Sequence, residues 1–194
     1  GVFAAAVAAA MARDATVDDV VGGSLSVAHD GTKSAIEAVV DRARRVSDGS
    51  GVARELRAAM APFDTVGEDY RDPGLGARRP SRLHSIEELP IALGLLIVGR
   101  GDYTTCVMGA VNYGRDADSI GTMAGALAGA MGGRDAIPAA WREHVARESR
   151  IDLEAPGATM ADVAAEIFAM DQHRQGARDD AFKRLSAEEA RLRS

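Results

Sequence analysis

The sequence predicts an all-α protein, and three observations support that fold class. Alanine, leucine, methionine, glutamate and arginine, which favour helices, are abundant along the whole chain. Aromatic residues, which strands prefer, make up only 4% of the residues. No run alternates strictly between apolar and polar residues, as a half-buried strand does. We therefore expect helices throughout and essentially no sheet.

Length and charge narrow the class of protein further. The 194 residues suit a single domain over residues 1–194, and the 46% hydrophobic content is enough to form its core. The net charge of -6 comes from interspersed acids and bases, so no basic stripe is available for a nucleic acid. The single cysteine, Cys106, excludes an internal disulfide and fits the reducing cytoplasm. We expect Cys106 to be an inert core residue.

Two apolar stretches resemble targeting or membrane segments, but neither has the features that such segments need. The run from Val2 to Ala12 has no positively charged region in front of it, as a secretory signal requires. The run from Ala117 to Gly133 is shorter than about 20 residues and rich in glycine, which argues against a membrane span. Both are interpreted as buried helices, and no membrane partner is expected.

In the first part of the chain, helix-start and helix-stop signals alternate. Thr16 precedes two acids in the manner of a helix start, and Thr32 after Gly31 is a second candidate cap. A cluster of serine and glycine from Ser47 to Gly51 ends the segment that follows. The predicted helices are Val2 to Ala12, Val17 to His29, Thr32 to about Val46, and Val52 to Met60.

Residues 62–82 interrupt the helical pattern with three prolines, three glycines and four arginines, and they predict a long loop. The arginines suit bidentate contacts with phosphate, and a solvated surface loop is the alternative. They are Arg71, Arg78, Arg79 and Arg82.

Helical signals resume after this loop. Ser85 is predicted to cap a strongly apolar helix, with Pro90 tolerated in its first turn. The terminal segment, residues 176–194, is predicted to be a charged helix with a solvated face. The predicted helices are Leu89 to Val98, Tyr103 to Val111, Ser119 to Met131, one that Pro138 opens and that includes Trp141, Ala158 to Met170, and Ala177 to Leu192.

The segment from Asn112 to Ser119 carries the residues best suited to chemistry. Gly114 allows a turn, after which Asp116 and Asp118 stand at the start of a helix. These two carboxylates and the hydroxyl of Ser119 are hard oxygen ligands, the kind that Mg²⁺, Mn²⁺ or Ca²⁺ prefers. The alternative interpretation is that Asp116 caps the helix while Asp118 complements its dipole. Tyr113 beside them can stack on a base, although core packing is the commoner role.

Glycine recurs every four residues in the helix that follows, so one face of that helix lacks bulky side chains. Glycine inside a helix costs about 0.5 to 1 kcal/mol relative to alanine, so the repeat suggests close packing against another backbone. The residues concerned are Gly121, Gly125, Gly129 and Gly133.

These motifs together resemble the C-terminal signature of the ADP-ribosylglycohydrolases, the dinitrogenase-reductase-activating type included. The resemblance is specific from about His84 to Trp141. It includes Leu89-Pro90-Ile91-Ala92-Leu93, Ala110-Val111-Asn112, Gly114, Asp116, Asp118-Ser119-Ile120, Ala124 to Ala130, and Ile137-Pro138. It implies a compact orthogonal multi-helix bundle with a binuclear Mg²⁺ or Mn²⁺ site. Asp116, Asp118 and Ser119 would be its C-terminal metal ligands, and the two aspartates would be catalytic.

This chain departs from the family pattern at three points, one of which is Ser119, where the family often has threonine and where serine keeps the ligating hydroxyl. Arg115 stands where the family most often has a second glycine, and it is predicted with Gly114, His84 and Ser85 to contact substrate. The family's other metal ligands lie in an N-terminal Thr-Asp-Asp motif, which Thr16-Val17-Asp18-Asp19 does not match. We therefore expect an upstream segment, covalent or separate, to complete the site of a larger catalytic domain. This chain, as its C-terminal part, is not expected to be active alone.

The resemblance implies a metal-dependent hydrolase that cleaves the glycosidic bond of an ADP-ribosylated protein or a small ribosyl substrate. Two alternatives stay open. One is a family member that acts on another ribosyl or nucleoside substrate, and the other is a non-catalytic homologue with a binding or structural role.

Overall fold

A computed structural model describes residues 1–46, 49, 51–64 and 82–192, with the backbone alone for residues 82–85, 188–190 and 192. Within these ranges the chain is helical and contains no strand, so the predicted all-α class is confirmed. The helices are α1 (Val2–Ala10), α2 (Val17–Val27), α3 (Asp30–Ala43), α4 (Val52–Met60), α5 (Arg82–Val98), α6 (Tyr103–Tyr113), α7 (Ala117–Gly132), α8 (Ala139–Ser149) and α9 (Ala155–Leu192), with 3₁₀ turns at Ala61–Phe63 and Arg134–Ala136.

The chain divides into two compact units, Gly1–Ala139 and Ala140–Ser194. The first unit contains helices α1 to α7, and every fully buried apolar side chain of the described residues belongs to it. In the second unit, the described side chains of α9 are all exposed. The single domain over residues 1–194 stays a prediction.

Helix α5 lies at the centre of the first unit and packs against α3, α4, α6 and α7. Its apolar residues face all of these neighbours, and Ile91, Leu93 and Leu96 are fully buried. Gly94 allows a close approach of α3, because a methyl group there would lie 2.8 Å from Cγ1 of Val39. Helix α7 adds Ile120 and Leu127 to the same core. The site described below is therefore built on rigid, buried helices.

Helix α5 begins earlier than predicted. It starts at Arg82, so Ser85 lies inside the helix rather than at its cap, and Pro90 lies in the interior rather than in the first turn. An interior proline costs about 3 kcal/mol because it removes one hydrogen bond and its ring crowds the preceding turn. Burial of the apolar residues that follow offsets this cost, since tertiary packing supplies most helical stability. Residues 65–81 of the predicted loop lie outside the described residues, with Arg71, Arg78 and Arg79.

Two other boundaries also differ from prediction. Helix α3 begins at Asp30, so Thr32 lies within its first turn and does not cap it. Helix α9 runs unbroken for 38 residues, where two helices separated near residues 171–176 were predicted. Gly176 alone does not end it, because one glycine costs only about 1 kcal/mol and no proline is present there.

None of the helices in the described part of the chain is long and apolar enough to cross a membrane.

Candidate functional site

The turn between α6 and α7 sets the geometry of the site. Gly114 caps α6 with φ +76°, and Arg115 follows with φ +56°. Asp116 is then the N-cap residue of α7. The two positive φ values reverse the chain so that α7 starts beside α6, and Gly114 supplies the turn that the sequence predicts.

Asp116 does not cap α7 through its side chain, which makes no cap hydrogen bond. Asp116 therefore occupies the N-cap position without the side-chain bond that the alternative interpretation requires, while Asp118 lies in the first turn as that interpretation expects. The Asp116 carboxylate instead accepts a hydrogen bond from the carboxyl group of Glu88 in α5. Asp118 lies in the first turn of α7 with its side chain exposed, and Ser119 next to it is half-buried.

Glu88 is a site residue that sequence reasoning missed. Burial, the hydrogen bond with Asp116 and the negative charges of Asp116, Asp118 and Glu87 together raise its pKa to about 7. These three side chains, Glu88, Asp116 and Asp118, form what we call the acidic cluster. The available signal was the pair Glu87-Glu88, which are the only acids between Leu83 and Gly101 in an otherwise apolar stretch.

Glu87, the neighbour of Glu88, lies in the opposite electrostatic environment. Its side chain is only 3% exposed, and it accepts hydrogen bonds from three groups. The Tyr113 hydroxyl donates at 2.6 Å, Nε of Arg115 at 2.9 Å and Nη1 of Arg57 at 3.4 Å. Burial and the hydrogen bond to Glu87 raise the pKa of Tyr113. Among the described side chains, arginines form ion pairs with Glu87 and none is recorded with Glu88, so these two adjacent acids on α5 differ in charge environment.

Asp64 completes this arrangement. Its carboxylate, 2% exposed, accepts a hydrogen bond from Nη2 of Arg115 at 3.0 Å and another from Nη2 of Arg57. We call Arg57, Asp64, Glu87, Tyr113 and Arg115 the ionic network. Its two guanidinium groups match its two carboxylates, which limits the cost of burying these charges.

Arg115 therefore has a role that the sequence did not reveal. Its side chain is 11% exposed, and its guanidinium contacts the carboxylates of Glu87 and Asp64. The predicted contact of Arg115 with substrate stays a prediction, as do the contacts of Gly114. His84 and Ser85 belong to the first turn of α5, and their side chains lie outside the described part of the structure.

The glycine-rich face of α7 packs against side chains of α6, so the predicted close neighbour is present but side chains and not its backbone lie nearest to the glycines. A methyl group at Gly125 would lie 3.3 Å from Cγ2 of Val107, and one at Gly121 would lie 3.9 Å from Cβ of Ala110. Gly129 similarly faces Tyr103. Gly133 differs, because it caps the end of α7 with φ +68°. This packing holds the acidic start of α7 in a fixed position.

The chemistry of the donors in the acidic cluster suits a hard divalent cation such as Mg²⁺ or Mn²⁺, since carboxylate and hydroxyl oxygens are its preferred ligands. Within the described ranges, no three side chains of histidine, cysteine, aspartate or glutamate are arranged to hold a metal ion. The predicted ligands Asp116, Asp118 and Ser119 include only two residues of those types. The oxygen donors of these three residues are of the type that such an ion prefers. They are too few to complete its coordination, so further ligands are needed.

Comparison with known proteins gives one finding. The family model described as ADP-ribosylglycohydrolase matches residues 1–177, which is most of the chain. No curated protein and no solved structure shows significant similarity to it.

Proposed function

The chain belongs to the ADP-ribosylglycohydrolase family, and from that premise we propose that it contributes the C-terminal half-site of a metal-dependent hydrolase. The bond cleaved would be the glycosidic bond of an ADP-ribosylated protein or of a small ribosyl substrate. One observation carries the proposal. Helix α5 packs against α7, and Asp116 and Asp118 at the start of α7 both raise the pKa of Glu88 on α5, so three acids lie near one another there.

In this proposal, Asp116, Asp118 and Ser119 hold Mg²⁺ or Mn²⁺, and Glu88 lies beside them as a neighbouring acid. When bound, such ions supply positive charge that orients the ribose and stabilises charge developing at the scissile bond. Asp116 and Asp118 would then act as the catalytic carboxylates. The resemblance to the family implies a pair of ions, and the hard oxygen donors support the choice of metal.

The residues around the acidic cluster would prepare it for this task. The negative charges of Asp116 and Asp118 disfavour the ionised form of Glu88, so a cation bound at the cluster would offset an excess of negative charge. The first amides of α7 carry the partial positive charge of a helix start, which suits an anionic group of the substrate. Helix α7 packs against α5, which carries Glu88, as well as against α6, and this packing would keep the cluster together.

The remaining ligands are proposed to come from a further segment, either of the same protein or of a separate chain. Two alternative functions are compatible with family membership. The site would serve another ribosyl or nucleoside substrate, or the protein would bind its ligand without cleaving it. Release of ADP-ribose distinguishes catalysis from binding alone.

The first prediction concerns the metal ligands. In the complete protein, Asp116→Asn and Asp118→Asn should each weaken Mn²⁺ binding by about tenfold or more, because each removes a charged ligand. Electron paramagnetic resonance of free Mn²⁺ measures the affinity, and release of ADP-ribose from arginine-linked and serine-linked substrates measures the activity.

Asp135→Asn is the matched control, since the Asp135 side chain is 94% exposed in a turn away from the acidic cluster. It should leave Mn²⁺ affinity unchanged. Unchanged affinity in Asp116→Asn and Asp118→Asn would contradict the proposal. Metal binding without release from any ribosyl substrate would favour the non-catalytic alternative.

A further inference from the structure

Two pairs of sequence neighbours face each other across the site. On α5 the pair is Glu87-Glu88, and in the turn before α7 it is Arg115-Asp116. Glu87 binds the guanidinium of Arg115, with Nε donating to Oε2 at 2.9 Å. Glu88 binds the carboxylate of Asp116. The ion pair is thus one residue away from the acidic cluster on both chain segments.

The backbone at Arg115 needs such support. Its φ of +56° lies in the left-handed region, where a residue with a side chain is disfavoured relative to glycine. Residues persist in this conformation where surrounding contacts over-determine them. The Arg115 guanidinium supplies two of those contacts, because it donates to Glu87 and also to Asp64 at 3.0 Å.

We propose that Arg115 is a positioning residue, whose guanidinium, fixed by Glu87 and Asp64, holds the turn before α7 so that Asp116 lies against Glu88. This inference rests on the proposed function only in assigning the acidic cluster to metal binding. Arg115 acts through Asp116, and its guanidinium contacts protein carboxylates. Loss of this side chain should release the turn and disperse the cluster.

Arg57 offers a matched control within the same network. It donates to the same two carboxylates, Glu87 and Asp64. It lies on α4, however, and is not part of the turn that carries Asp116. Removal of either arginine leaves these two acids with one cation fewer, and both changes should lower the thermal unfolding temperature. Only removal of Arg115 frees the turn.

The second prediction compares Arg115→Ala with Arg57→Ala in the complete protein, at a temperature where both are folded by circular dichroism. Arg115→Ala should weaken Mn²⁺ binding by about 10- to 100-fold, the range found when groups that orient metal ligands are lost. Arg57→Ala should change the affinity by less than about threefold. If Arg115→Ala fails to fold, Arg115→Lys is used instead. Lysine keeps the positive charge but lacks the planar guanidinium that contacts both Glu87 and Asp64.

A measurement without metal separates this proposal from the proposed function. In ¹H–¹⁵N NMR spectra, the amides of residues 115–119 should shift more in Arg115→Ala or Arg115→Lys than in Arg57→Ala. Equal shifts in both arginine variants, or equal losses of Mn²⁺ affinity, would overturn the positioning role. If the unaltered protein binds no Mn²⁺ while the amide shifts follow expectation, the proposed function fails and the positioning role stands.

Discussion

At the scale of single residues, the environment decides what a side chain does. Glu87 and Glu88 are identical and adjacent, yet Arg57, Tyr113 and Arg115 surround the first while Asp116 and Asp118 oppose the second. Burial, the hydrogen bond with Asp116 and like charge raise the pKa of Glu88 to about 7, so near neutral pH it is partly protonated where an ordinary glutamate is ionised. Composition alone would have treated both as solvated acids at a helix start.

Cys106 gives the third prediction at the same scale. Burial raises its pKa to about 12, and its side chain is fully enclosed, as expected of a core residue. Only the thiolate reacts with alkylating reagents, so at pH 8 the folded protein should not be labelled by iodoacetamide. Mass spectrometry should show full labelling after unfolding in guanidinium chloride, which serves as the positive control. Rapid labelling of the folded protein would show that this core opens readily.

At the scale of helices, spacing of small residues determines which faces approach each other. Side chains of α6 pack against the glycines of α7, and side chains of α3 and α4 pack against Gly94 of α5. Helix α5 also shows that burial outweighs intrinsic preference, because it continues through Pro90. The site depends on both helices, since α5 carries Glu88 and α7 begins at Asp116.

The fourth prediction uses two neighbouring glycines of α2. A methyl group at Gly22 would meet nothing within 4 Å, whereas one at Gly23 would lie 2.8 Å from Cβ of Ala9 and 3.3 Å from the Ala5 carbonyl oxygen. Gly22→Ala should stabilise the protein by about 0.5 to 1 kcal/mol, because alanine favours the helix. Gly23→Ala should destabilise it by about 1 to 3 kcal/mol, because α1 must move away.

Chemical denaturation monitored by circular dichroism measures both changes in the free energy of unfolding. The two variants differ by one position in the same helix, so each is the control for the other. Stabilisation by Gly23→Ala would show that α1 does not pack on α2 in this way.

At the scale of the whole molecule, the two compact units differ in how much they bury. All the fully buried apolar side chains of the described residues belong to Gly1–Ala139, together with the acidic cluster and the ionic network. In the other unit, α9 exposes large apolar side chains such as Met160, Ile167 and Phe168. A helix without buried contacts has only its own backbone hydrogen bonds to stabilise it.

The fifth prediction follows from that contrast. Amide hydrogens of α9 should exchange with deuterium much faster than those of residues 91–96 in α5, because local opening is easier where few apolar contacts exist. Hydrogen exchange monitored by mass spectrometry measures both segments in one experiment, with α5 as the internal reference. Equal protection of α9 and α5 would mean that α9 is covered in solution.

The sequence by itself determined the fold class and much of the helix order. Helix α4 runs from Val52 to Met60 as predicted, and the glycine interval of α7 correctly indicated a close neighbour. These features are local, because helix signals and side-chain spacing act within a few residues. The turn at Gly114 and the acidic start of α7 were predictable for the same reason.

Only the tertiary structure decided which distant groups meet. Glu88 and Asp116 are far apart in the chain, and Arg115 reaches Glu87 and Asp64 only because α5 packs beside the turn before α7. The sequence did not predict the unbroken α9 or the early start of α5. Where a helix begins and ends depends on tertiary packing as well as on helix propensity, and a local sequence pattern shows only the propensity. The physical reason is the same throughout: helix formation depends on neighbours in sequence, whereas the charge environment of a side chain depends on neighbours in space.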